Sequence, residues 1–133
     1  MNIIKPLIIA LVVFFILDMI WLGWIAKSLY VKHYEPWLRL QDGSLQPLWW
    51  AGLIVYLLFA IAIIAFVLPL ANQSLLLALL YGGLLGFVTY GVYDFTCLAV
   101  FKHMPVGMAF VDWAWGTVLC ALTSFATLFF TRL

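Results

Sequence analysis

The sequence predicts an all-α membrane protein: four transmembrane helices in an antiparallel bundle, with a short interfacial helix between the first and second. Three observations carry this. Of 133 residues, 68% are hydrophobic and 8% are charged, more apolar surface than a chain of this length can hide from water. Four apolar stretches, at about residues 4–26, 48–68, 75–101 and 106–130, each reach the roughly 20 residues that a bilayer crossing needs. Prolines and polar clusters punctuate their ends. Residues 1–133 are therefore read as a single four-helix transmembrane domain.

The first stretch follows Lys5-Pro6, where proline suits the first turn of a helix. It is too long for a signal-peptide core, and no small-x-small cleavage site follows it, so it is read as a retained helix. Lys27 to Gln46 is a true loop carrying Lys32, His33, Glu35, Arg39 and Asp42. Within it Tyr30, Tyr34, Trp37 and Leu38 predict the interfacial helix, and Asp42-Gly43 predicts a turn. The second stretch, opened by Pro47, has no ionisable group except Tyr56 and reads as a lipid-facing or structural wall. Pro69 and Pro105 mark boundaries, and residues 71–74 and 102–105 form tight turns. Cys97 and Cys120 differ in depth by roughly 10 Å at the helical rise, so no disulfide is expected.

Four spans put both termini on one side. That side carries Lys5 and Arg132, and the other carries Lys27, Lys32, Arg39 and Lys102, so the positive-inside rule predicts non-cytoplasmic termini. A net charge of +1 offers nothing for nucleic acid to bind, and the one partner the composition demands is the lipid bilayer.

Asp18, Asp94 and Asp112 lie inside three of the four stretches. An ionised carboxylate at mid-helix costs about 2.5–3.5 kcal/mol on insertion scales, so intramembrane acids are functional candidates. Asp18 lies eight residues before Ala26, Asp94 eight before Lys102, and Asp112 seven after Pro105. All three therefore sit roughly 10–12 Å below the loop-side face. The seven tryptophans all belong to that half or its loop, together with Tyr30, Tyr34, Tyr90 and Tyr93. A one-sided aromatic belt predicts a polar, aromatic-lined cavity opening toward the loop side; the plainer alternative is a lopsided interfacial belt.

Trp21 and Trp115 each follow an aspartate by three residues, which on a helix lets each indole N–H reach its own acid. Tyr90, Tyr93, Thr96 and Trp113 complete the candidate set for ligand binding or proton carriage. Because the spans hold no Lys or Arg as counter-ion, a proton, hydrogen bonds or a bound cation must compensate the acids. No metal site is assigned: His33 and His103 lie at the boundary, and neither an H-x-x-x-H nor an E-x-x-H spacing occurs. The cofactor and any catalytic residue stay unknown. Gly82 and Gly86, as G-x-x-x-G, and Gly116 predict close helix packing, within the bundle or across a homo-oligomer. On a helical wheel Asp94 and the Gly82 stripe point in different directions.

D-x-x-W-L-G from Asp18 to Gly23, Y-D-x-T from Tyr93 to Thr96, and V-D-x-A-W-G-T from Val111 to Thr117 resemble the motifs of a bacterial integral-membrane family, domain of unknown function 2177. The likeness runs along the whole chain. It implies a multi-pass protein of the inner (cytoplasmic) membrane. Members look as if they are often encoded near enzymes that modify membrane fatty acids, which implies a lipid-linked role. Where the family pattern usually has Asn, this chain has Cys97.

Three functions fit. In the favoured one, the cavity binds or handles an amphipathic, lipid-like ligand, its head group on the acids and its apolar part between tryptophans. The others are a small proton-coupled transporter and a structural or assembly subunit whose aspartates staple helices together.

Overall fold

A computed structural model describes residues 2–133. Four long apolar helices pack against one another: Ile4–Ile25, Trp49–Ala71, Leu75–Val100 and Val106–Thr131. The first packs on the second and the fourth, the fourth packs on the third, and the second reaches the third through its later half, which closes a ring. The outer surface is Ile, Leu, Val and Phe, among them Leu53, Leu58, Leu80, Leu84 and Val92. So large an apolar exterior is stable only in lipid. The protein is a multi-pass membrane protein with an all-α, four-span bundle.

The connections follow local chemistry. After the first span, Lys27–Tyr34 forms a helix and Glu35–Trp37 a single 3-10 turn. Leu40–Gln41 then pairs with Ser44–Leu45. Asp42 and Gly43 both take positive φ (52° and 77°), as a two-residue hairpin turn requires. Asn72 and Gln73 adopt left-handed backbone between the second and third spans, and the Ser74 hydroxyl caps the third by accepting from the Leu77 N–H at 3.2 Å. Pro105 stands at the start of the fourth span.

Pro69 does not end the second span, contrary to the boundary expected there. Ile63–Val67 is a π-helical turn, in which the Leu68 N–H bonds to the Ile63 carbonyl. The slipped ladder widens the helix just ahead of the proline ring, so the helix passes through to Ala71. A second π turn, Trp21–Ile25, ends the first span and hands the chain to the Lys27–Tyr34 helix.

The third and fourth spans are zipped by an antiparallel seam with a four-residue step. Ala78 packs with Leu128 in one cluster. A Cβ on Gly82 would strike the Ser124 side chain, and one on Gly86 would lie 2.9 Å from the Cys120 Cβ and collide with the Gly116 carbonyl. A Cβ on Gly116 would fall inside the Tyr90 ring. Carried one step further, the same register sets Asp94 opposite Asp112. The wheel expectation that Asp94 and the Gly82 stripe diverge is therefore overturned: Ala78, Gly82, Gly86 and Asp94 are the buried residues of the third span. A wheel assumes a straight line of contact, whereas crossing helices meet along the oblique i±4 ridge. Gly82 and Gly86 are thus consumed inside the bundle and are not free to form a dimer face.

The core lies where the first, second and fourth spans converge on Phe14, Tyr56, Leu119 and Cys120, with Phe59, Tyr90 and Trp115 around them. Toward the termini, Ala71, Ala78 and Leu128 close the bundle. There the fourth span also buries the hydroxyls of Thr123, Ser124 and Thr127. Lys5 Nζ donates to the Thr131 carbonyl at 3.3 Å, so both chain ends lie at the same end of the bundle.

Candidate functional site

Asp18 is the fourth member of a buried stripe, Pro6, Ala10, Phe14 and Asp18, on the first span. Its Oδ2 accepts from the Tyr56 hydroxyl at 2.9 Å, and its Oδ1 accepts from Trp115 Nε1 at 3.3 Å. Both donors come from other helices. The expected local pairing of each indole with its own aspartate is therefore corrected. Trp115 crosses to Asp18, while Trp21 Nε1 donates to the Tyr30 hydroxyl at 3.2 Å. Both indoles turn to partners on other elements, which residue spacing along one helix does not report. The two indoles stack face to face, centroids 4.6 Å apart and planes 9° apart.

The second span is also more than a wall, because its only ionisable side chain, Tyr56, is buried and holds Asp18. The Tyr56 hydroxyl is the one side-chain donor deep in that span, and an intramembrane carboxylate is its natural acceptor.

Asp112 accepts from the Tyr30 hydroxyl through Oδ1 at 2.7 Å. Burial, and then the charge of Asp112, push the Tyr30 phenol above its ordinary value, so it stays a donor across physiological pH. Tyr34, one turn further along the same helix, is pushed up for the same two reasons. The seam between the third and fourth spans brings the Asp112 and Asp94 carboxyls to one recess. Two carboxyls side by side within a bundle favour a partner that brings positive charge or N–H donors. Asp94 is 1% exposed, and its Oδ2 has no hydrogen-bond partner among the described residues.

Asp94 and Asp112 line a recess of about 660 Å³, from which Asp18 is absent. Leu22, Tyr30, Val31 and Tyr34 supply one wall, and Trp37, Leu38 and Leu45 from the loop and hairpin supply another. Tyr93, Cys97, Phe101 and Met104 come from the end of the third span and the turn after it. Lys27 and Lys102 are its two basic side chains, and both are exposed. The lining is apolar apart from the phenols, the two acids and these lysines. The segment expected to lie on the membrane surface thus folds against the bundle and inserts Tyr30 into it.

The candidates divide by position. Tyr93, Asp94 and Asp112 line the recess. Trp21 reaches it through Tyr30, and Trp115 joins Trp21 to Asp18. Tyr90 packs on Gly116 and stacks on Phe59 at 5.5 Å, away from the recess. Trp113 covers Gly91 and donates to the Phe87 carbonyl at 2.8 Å, which ties the fourth span to the third on the outer face. Thr96 is exposed and outside the recess. The residues that sequence reasoning left out of the site are Tyr30, Tyr56, Lys27, Lys102 and Cys97. For Tyr56 the signal was its solitary polarity in an apolar span, and for Tyr30 it was the Tyr30/Tyr34 spacing on one helical face. Both cysteines are free, Cys120 fully buried and Cys97 partly exposed.

No curated protein and no solved structure matches the chain. A likeness extending over nearly all of it, residues 3–129, is to the family described as "Predicted membrane protein (DUF2177)", and the chain belongs to that family.

Proposed function

We propose that the protein binds an amphipathic, lipid-like ligand, with the polar head at Asp94 and Asp112 and the apolar part along the aliphatic and aromatic walls. The observation that carries this reading is the pairing of a recess of about 660 Å³ with a buried carboxylate oxygen on its floor that none of the described residues satisfies. Ligand sites combine mostly apolar walls with a few directed polar groups, and this volume falls in their usual range. An acid kept unsatisfied in a membrane bundle, beside one that is fully satisfied, separates the roles: Asp18 staples three helices, while Asp94 and Asp112 meet the ligand.

Charge asymmetry supports a recess open to the cytoplasm. Lys27, Lys32, Arg39 and Lys102 stand at its end of the bundle, and Lys5 and Arg132 stand at the other. The inner (cytoplasmic) membrane is the location we propose, on the family resemblance.

Native mass spectrometry of the protein purified in mild detergent tests the proposal. Wild type is expected to retain a bound lipid, and Asp94→Asn to lose most of it. Loss of a charge-assisted hydrogen bond weakens binding by about 1.5–3 kcal/mol. Asp18→Asn should keep the ligand. A wild type that releases only bare protein, or an Asp94→Asn variant that keeps the full adduct, would overturn the assignment.

A further inference from the structure

We infer that the polar head taken by the recess carries a protonated primary amine that enters first and a phosphate that follows, as in an aminoalkyl phospholipid. The inference rests on the reading of the recess as an amphiphile site and specifies its ligand class.

The floor is acidic and short of donors. Asp112 Oδ1 already holds the Tyr30 hydroxyl, whereas Asp94 Oδ2 is buried with no partner. The two carboxyls share one recess, so a species placed there has to bring positive charge, N–H donors, or both. A primary ammonium brings three donors and a full charge. A quaternary ammonium brings charge but no N–H, and would leave Oδ2 unsatisfied. A phosphate or carboxylate at the floor would meet two acids with no base between them.

Toward the mouth the sign reverses. Lys27 and Lys102 are the basic residues of the lining. Lys102 stands two helical turns beyond Asp94, and its flexible stem can fold back along the recess. A cation at the floor with an anion trailing toward the lysines matches both ends. The reversed dipole, or a purely anionic head, matches neither.

Cys97 lines the recess beside Asp94, and Cys120 is fully buried, so a thiol reagent reads occupancy at one position. The test is the rate of N-ethylmaleimide labelling of the whole protein in nonionic detergent, with Cys97→Ser as the blank. The probes are lysophosphatidylethanolamine, lysophosphatidylcholine and lysophosphatidylglycerol of one chain length, together with glycerophosphoethanolamine. The ethanolamine lyso-lipid is expected to protect Cys97 at concentrations roughly ten- to a hundredfold below the glycerol one. Asp94→Asn is expected to erase that preference.

Equal protection of the wild type by all three lyso-lipids would overturn the amine assignment and leave the amphiphile reading standing. No protection by any probe would overturn both. Protection by glycerophosphoethanolamine equal to that by its lyso-lipid would support the amine and overturn the lipid reading in favour of a water-soluble amine. The wild-type comparison holds whether or not Asp94→Asn folds.

Discussion

Three aspartates of similar depth come to different ends because their neighbours differ. Asp18 has a donor for each oxygen, Tyr56 at 2.9 Å and Trp115 at 3.3 Å, so it is complete without any visitor. Asp94 has an oxygen left over. Interhelical hydrogen bonds in membranes average about 0.6 kcal/mol and reach about 1.7. A double-mutant cycle of Asp18→Asn with Tyr56→Phe, read as thermal or denaturant unfolding in detergent, should therefore give a coupling of about 0.5–1.5 kcal/mol. The same cycle between Asp94→Asn and Tyr56→Phe should give a value near zero. Depth along each span was legible from residue counting alone, since a helix rises uniformly. The partners were not: a hydrogen bond spanning 97 residues between Trp115 and Asp18 depends on the rotation of two helices about their axes. Counting allowed two local pairings, Trp21 with Asp18 and Trp115 with Asp112, and in both the indole turns to a partner on another element instead.

At the level of elements, the seam between the third and fourth spans does most to build the site. Gly82, Gly86 and Gly116 let the two backbones close, and that register sets Asp94 against Asp112. Position along the seam decides what a methyl group costs. Gly86→Ala drives a Cβ against the Gly116 carbonyl and the Cys120 Cβ, and should destabilise the bundle by about 1–3 kcal/mol and weaken ligand retention as the acids separate. Gly83→Ala, one residue away, finds its nearest neighbour, the Ala121 Cβ, at 3.5 Å. It should be neutral, or stabilising by up to about 1 kcal/mol through helix propensity. Unfolding of the two variants side by side checks this; equal losses would mean that the seam does not set the register. The G-x-x-x-G spacing announced a packing face in the sequence, but its choice of an internal partner rests on the matching residues of the fourth span, 30 to 50 positions downstream.

 Ala78 meets Leu128 and Gly82 meets Ser124, and only the folded hairpin brings such distant positions into one seam.

For the whole molecule, four apolar helices with their ends together were legible because length and composition alone dictate them in lipid. The loop between the first two spans was the least legible part. Its short helix and hairpin read as a surface feature, yet they wall the recess, because the tyrosines that suit an interface also suit a donor's place above an intramembrane acid. The shared end of the bundle, marked by Lys5 on Thr131, makes a topological prediction. Epitope tags at the two termini should respond together to protease added to sealed vesicles. By the charge asymmetry, both should be cleaved in right-side-out vesicles and both protected in inverted ones. Opposite responses of the two tags would contradict the four-span fold, and joint cleavage in inverted vesicles would reverse the proposed orientation.

The bonds to Asp18 also have a history in time. Tyr56 lies 38 residues after it and Trp115 lies 97 after it, so neither donor exists when the ribosome delivers the first span. At about 5–20 residues per second, the acid waits some seconds for its first partner and longer for its second. Through that interval the nascent helix must stay near the water-filled insertion machinery or keep its carboxyl protonated, and its final seat in the bilayer is taken only when the later helices arrive.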